Sequence, residues 1–132
     1  MKVEHIGIAV RSLESAEQLF AKLLGSESYK RETVESESVT TSFFKAGETK
    51  IELLEATSPA SVISTYIEKR GEGIHHIAFE VEDIHQEMAR LQEAGFRLLN
   101  SAPKRGADNK WVCFVHPKDC NGVLVELCQE LR

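Results

Sequence analysis

Among the residues of this chain that could bind a metal ion or move a proton, four occur as one pair written twice. His5 opens H-I-G-I-A-V-R-S-L (His5 to Leu13), and Glu52 sits in K-I-E-L-L-E (Lys50 to Glu55). His76 opens H-I-A-F-E-V-E-D-I (His76 to Ile84), and Glu126 sits in L-V-E-L-C-Q (Leu124 to Gln129). The histidines are offset by 71 positions and the glutamates by 74. Packing alone does not explain a polar pair repeated inside apolar segments. Two imidazoles and two carboxylates suit a borderline divalent ion such as Co²⁺, Mn²⁺, Ni²⁺ or Zn²⁺, with two octahedral positions left over for water or substrate oxygens. The repeat therefore points to two half-sites around one metal.

Strands must position these groups, because side chains alternate between faces along a strand. Ile6, Ile8 and Val10 fall on one face and His5, Gly7 and Ala9 on the other; in the copy, Ile77, Phe79 and Val81 oppose His76, Ala78 and Glu80. Glu52 opposes Ile51 and Leu53, and Glu126 opposes Val125 and Leu127. The four candidate ligands thus share a face other than the apolar one, beside small residues that leave room for a ligand. His75 points the opposite way from His76, and His116 has no counterpart in the first half, so neither joins the set.

The intervening elements follow the same order in both halves. After the first strand, Ser12 caps a helix with the stripe Leu13, Ala16, Leu19, Phe20, Leu23 and Leu24, ended by Gly25. A strand over Tyr29 to Val34 and a turn over Glu35 to Ser38 follow. Val39 to Lys45 and Thr49 to Glu55 then pair as a hairpin. A connecting helix has Ser58 as N-cap, Pro59 at its first position, Gly71 past its end and a buried stripe of Val62, Ile63, Tyr66 and Ile67. The second half repeats the plan: strand His76 to Val81, a helix capped by Asp83 with Gln86 and ended by Gly95, then strands Arg97 to Leu99, Trp111 to His116 and Val123 to Cys128.

Composition narrows the class. With 132 residues, 42% apolar and 28% charged, the chain reads as one soluble globular domain. A net charge of −5 argues against a general nucleic-acid binder, and no apolar run spans a membrane or forms a signal peptide. Cys113, Cys120 and Cys128 form no C-x-x-C and read as reduced thiols of a cytoplasmic protein. Lys104, Arg105, Lys110 and Lys118 outnumber Asp108 and Asp119 in one stretch, which by itself reads as a solvated loop. Trp111 reads first as core, with stacking on a ligand as the other reading.

Taken together these residues resemble the vicinal oxygen chelate (glyoxalase/bleomycin-resistance/dioxygenase) superfamily. Within it they resemble the methylmalonyl-CoA epimerase family over nearly the full chain. The matching segments are H-I-G-I-A-V, T-K-I-E-L-L-E from Thr49, G-E-G-I-H-H-I-A-F-E-V from Gly71 and H-P-K-D-C-N-G-V-L-V-E-L from His116. The resemblance implies an α+β fold in which two paired β-α-β-β-β modules form a curled, eight-stranded mixed sheet around a metal site. One domain over residues 1–132 would comprise module 1 (about 1–57), the connecting helix (about 58–72) and module 2 (about 73–132).

Carried over position by position, the resemblance makes His5, Glu52, His76 and Glu126 the metal ligands, with Co²⁺ leading Mn²⁺, Ni²⁺ and Zn²⁺. It implies interconversion of (2R)- and (2S)-methylmalonyl-CoA by proton abstraction at C2 through a metal-stabilised enediolate, with Glu126 as one acid–base group. The opposite group is open. Thr41 stands where some relatives carry a glutamate, leaving Glu35, Glu37, a water or another acid. Lys104 and Lys118 are the candidate contacts to substrate carboxylate or phosphate. A homodimer acting on a small acyl-CoA in the cytoplasm, without nucleic-acid or membrane partners, completes the expectation. The alternatives are a glyoxalase I-type lactoylglutathione lyase and a metal-free ligand-binding module of the same fold. Ala9 argues against the lyase, because such relatives often place a glutathione-binding arginine there.

Overall fold

The alternating opening segment forms β1 (Lys2–Ala9), and the Ser12 hydroxyl accepts the Ser15 N–H at 3.2 Å to start α1 (Leu13–Leu24). Gly25 closes that helix at φ 74°, a left-handed conformation that glycine adopts without a Cβ penalty. The computed structural model, which describes residues 1–131, continues with β2 (Lys30–Val34), β3 (Val39–Ala46), β4 (Thr49–Ala56) and α2 (Val62–Arg70). The second half comprises β5 (Gly73–Glu80), α3 (Ile84–Glu93), β6 (Lys104–Gly106), β7 (Lys110–Val115) and β8 (Val125–Glu130). The described residues are thus α+β, with eight strands and the repeated β-α-β-β-β order.

It divides into two compact units, His5–His75 and Met1–Glu4 together with the chain from His76 onward. In the first, the strands run β2-β3-β4-β1, with β1 parallel to β4 and the other neighbours antiparallel. Val10, Leu13, Phe44 and Leu53 form the core beneath α1; on the other face Ala9, Val39 and Leu54 pack with Ile63 of α2. In the second unit the order is β6-β7-β8-β5, and β5 is parallel to β8. Val81, Ile84, Met88, Leu91, Cys113, Val115 and Leu127 pack under α3. Each fully buried Leu or Phe of these clusters contributes about 1.5–3 kcal/mol. The repeat seen in the residues is therefore a repeat of strand order and direction.

Three local expectations are corrected. The α2 cap is Ser61, not Ser58: the Ser61 N–H bonds to the Ser58 carbonyl at 3.1 Å, so the chain makes a turn through Pro59 before Ser61 accepts the Ile63 N–H at 3.1 Å. Val62, expected in the buried stripe, is 59% exposed while Ile63 is buried. Arg97 to Leu99 form no strand beyond one bridge, Leu98 to Val115, because the Asn100 side chain takes the Phe114 N–H at 2.9 Å and ends the ladder. The missing strand is Lys104–Gly106, so part of the basic stretch read as a loop is an edge strand. Trp111 packs against the α3 core, as its first reading had it.

Arg97 instead anchors the turn after β7, its guanidinium donating to both Asp119 oxygens at 3.0 and 2.8 Å. Those bonds hold the Asp119 carboxyl down to about 2 from its ordinary 3.8. A lowered folded-state value adds stability that is present above the unfolded value and lost as pH falls through the folded one. Urea midpoints of the wild type and Asp119→Asn are therefore expected to differ at neutral pH. They should converge between about pH 4 and pH 2, the window set by that shift. A constant difference across the window would contradict the assignment.

Candidate metal-binding and catalytic site

In the unit His5–His75, the parallel register of β1 and β4 pairs Gly7 with Glu52, and the antiparallel register of β3 and β4 pairs Phe43 with Glu52. The glutamate thus stands between a residue with no side chain and an aromatic ring. His5, two positions before Gly7 on the same face, brings Nε2 to 3.2 Å from Glu52 Oε1. Both are buried, at 7% and 4% exposure. In the second unit Ala78 and Phe114 flank Glu126 in the same way, and His76 Nε2 lies 3.4 Å from Glu126 Oε1. His76 and Glu126 are each 5% exposed. Duplication has reproduced the ligand pair with a small residue on one side of the glutamate and a phenylalanine on the other.

Burying a carboxylate without a partner is costly, so each pair needs a compensating proton or cation. The donor spacing suits a cation. Two ligand atoms at about 2.1 Å from one ion stand about 3.0 Å apart in an octahedron and about 3.4 Å apart in a tetrahedron. The pairs at 3.2 and 3.4 Å fall at those separations. Nitrogen and carboxylate donors favour a borderline divalent ion. Beside the His76–Glu126 pair, burial, then the charges of Glu126 and Glu4, push the Cys128 thiol up.

One expectation about the faces needs adjustment. The His5, Gly7 and Ala9 face of β1 is the more buried one, with Ile6 and Ile8 only half-buried. The reason lies partly in α2, whose Ile63 packs on Ala9 and Leu54. The ligand face is thus closed by helix packing at one end.

The remaining candidates divide. Lys104 Nζ lies 5.8 Å from the centroid of the Phe114 ring, whose edge meets the His76 imidazole at 6.1 Å, so Lys104 is set beside that half-site. Lys118 stands on the single turn Pro117–Asp119, its N–H bonded to His116 Nδ1 at 3.1 Å, and not on the strand face that carries the pair. His116 therefore caps that turn, and His75 stacks edge-on against Tyr66. Thr41 is buried, and its hydroxyl donates to the Glu32 carbonyl at 3.4 Å. Glu35 and Glu37 occupy the turn between β2 and β3.

Sequence reasoning missed Phe43, Phe114 and Lys30. Lys30 Nζ lies 5.4 Å from the Phe43 ring centroid, as Lys104 does over Phe114. The two phenylalanines share the 71-residue offset of the histidines, and extending the alignment of the two halves would have found them.

Twin buried His–Glu pairs on a duplicated β-α-β-β-β unit define a class, and residues 4–114 match the model of the Glyoxalase/Bleomycin resistance protein/Dioxygenase superfamily. The ethylmalonyl-CoA/methylmalonyl-CoA epimerase of Cereibacter sphaeroides is 45% identical over 130 residues, covering 97% of each chain. A variant of Streptomyces coelicolor methylmalonyl-CoA epimerase in complex with 2-nitronate-propionyl-CoA superposes with a TM-score of 0.95 at 33% identity, covering 100% of this chain and 99% of that one. The methylmalonyl-CoA epimerase of Mycobacterium tuberculosis gives a TM-score of 0.94 at 31% identity over 99% of this chain and 89% of its own. The chain belongs to that superfamily and, within it, to the methylmalonyl-CoA epimerase family. Among the described residues no helix is long and apolar enough to cross a membrane.

Proposed function

We propose that this protein interconverts the 2R and 2S epimers of methylmalonyl-CoA, as a single domain that uses a divalent ion. The observation that carries the reading is the register-matched His–Glu pair in each unit. His5, Glu52, His76 and Glu126 are the residues that would hold the ion, Co²⁺ first among Mn²⁺, Ni²⁺ and Zn²⁺. When bound, the ion supplies Lewis-acid stabilisation of the negative charge that develops on the substrate oxygens.

The chain's own groups do the rest. Glu126 takes the C2 proton while the C–H electron pair moves into the thioester carbonyl. The Phe43 and Phe114 rings, each cross-strand from a carboxylate, limit the access of water to Glu52 and Glu126. Lys104, over Phe114, and Lys118, on its turn, are the cations that would meet the substrate carboxylate or a phosphate. A cytoplasmic homodimer completes the proposal.

The test is NMR of methylmalonyl-CoA in heavy water. Exchange of the C2 proton is expected with Co²⁺ and should fall to background after chelation, returning when metal is restored. No exchange under any divalent ion, with turnover of the glutathione–methylglyoxal hemithioacetal in its place, would overturn the reading in favour of a lyase.

A further inference from the structure

A group of lysines beside the His5–Glu52 pair takes no part in holding the ion or moving the proton. Register sets it out in rows. Lys50 of β4 faces Lys45 of β3, and the next row on the same side pairs Glu52 with Phe43. β1 extends the first row with His5, and β2 extends the second with Lys30. These side chains share one face of the unit His5–His75. Tyr29, 42% exposed just before β2, completes the group. Its ring lies 6.2 Å from the Phe43 ring, and Lys45 Nζ is 5.2 Å from its centroid. The second unit has no counterpart, since the offsets of 71 and 74 residues carry Lys45 to His116 and Lys50 to Leu124.

We propose that Lys45, Lys50 and Tyr29 form a subsite for a phosphorylated nucleotide, the phosphoadenosine end of the acyl-CoA substrate; the assignment rests on the epimerase reading above. Like charges directly opposite one another in a sheet repel. Lysines on an edge strand deter pairing with other chains, which accounts for Lys30 on β2. It does not account for Lys45 and Lys50, because β3 and β4 are paired on both sides. Lys30 is also the least available of the three, with Glu32 at 3.5 Å. Lys45 forms no ion pair among the described residues and lies over the Tyr29 ring instead.

A phosphate between the opposed ammonium groups replaces their repulsion with charge-assisted hydrogen bonds. The whole chain carries −5, so attraction of an anionic ligand must come from such a local patch. Tyr29 selects among anions, because an exposed aromatic ring offers a face on which a base stacks. The lysine row begins about 7 Å from the Glu52 row along the strands. One ligand can therefore lie against both, with its reactive end at the carboxylates and a flexible arm leading to its phosphates.

The experiment compares three thioesters in the full chain with Co²⁺: methylmalonyl-CoA, its phosphopantetheine analogue without adenosine, and its pantetheine analogue without any phosphate. Lys45→Gln is expected to raise KM about tenfold or more for the two phosphorylated thioesters, with kcat unchanged, and to leave the pantetheine analogue within about twofold. Lys45→Arg should keep the wild-type KM. Tyr29→Leu should raise KM for methylmalonyl-CoA alone. Lys45 is exposed, so its replacement leaves the fold intact. An unchanged KM in Lys45→Gln, or an equal rise for all three thioesters, overturns the subsite. Calorimetry with adenosine 3′,5′-bisphosphate reads the same subsite without turnover, and binding no tighter than that of inorganic phosphate overturns it as well. Absence of exchange by the wild type with every thioester, alongside Lys45-dependent binding of the bisphosphate, would overturn the epimerase reading and leave the subsite standing.

Discussion

Replacing Glu126 with glutamine is expected to slow C2 proton exchange about 10²–10⁴-fold, the usual contribution of a positioned general base. The amide has the same shape and keeps an oxygen donor, but it cannot hold the abstracted proton. Glu126 is 5% exposed and flanked by Ala78 and Phe114, so the substitution changes basicity without opening a cavity. Neutralising a buried carboxylate also removes a desolvation cost, and the thermal midpoint should hold or rise. Two readouts separate the roles of the residue: the NMR exchange rate for proton transfer, and the visible spectrum of added Co²⁺ for ligation. A Glu126→Gln enzyme that binds Co²⁺ and exchanges at the wild-type rate would remove Glu126 from the proton path.

Truncating Lys110 to alanine is expected to destabilise the protein by about 3–5 kcal/mol, as removal of one partner from a buried ion pair does. Lys110 is 4% exposed on β7, with its ammonium 3.9 Å from Glu4, 4.0 Å from Asp108 and 3.4 Å from Glu130. Glu4 is buried too, at 2% exposure, and would lose a close cation. In a domain of this size the loss amounts to a fall of roughly 10 °C or more in Tm. The double variant Glu4→Gln with Lys110→Met should recover much of it, because the isolated charge is what costs. A Lys110→Ala protein as stable as the wild type would show that water reaches this cluster.

Much of this could be read from the residues alone, for identifiable reasons. The ligand pairs were legible because a period of two assigns faces without any knowledge of tertiary structure, and because they occur twice. The caps at Ser12 and Asp83 were legible because capping chemistry is local. Ser58 against Ser61 was not: both are serines near Pro59, and only the turn hydrogen bond decides which one starts the helix. The strand Lys104–Gly106 was hidden because lysine, arginine and glycine carry no strand signal. Its pairing comes from β7, with Gly106 so close to Val112 that a Cβ there would meet that side chain at 2.9 Å. The opposed lysines were invisible for a third reason. Their facing depends on the β3–β4 register, which sets Lys45 opposite Lys50.

The two glutamates keep equivalent neighbours although their offset exceeds that of the phenylalanines beside them by three residues. All of that extra length lies in the connection between β7 and β8, which holds the turn Pro117–Asp119, whereas β3 and β4 join through Gly47 and Glu48 alone. The hairpin tip is thus mechanically insulated from the ligand rungs. Residues can be inserted, removed or recharged there without displacing a donor atom. The fold carries a built-in allowance for changing what it recognises while leaving how it reacts untouched.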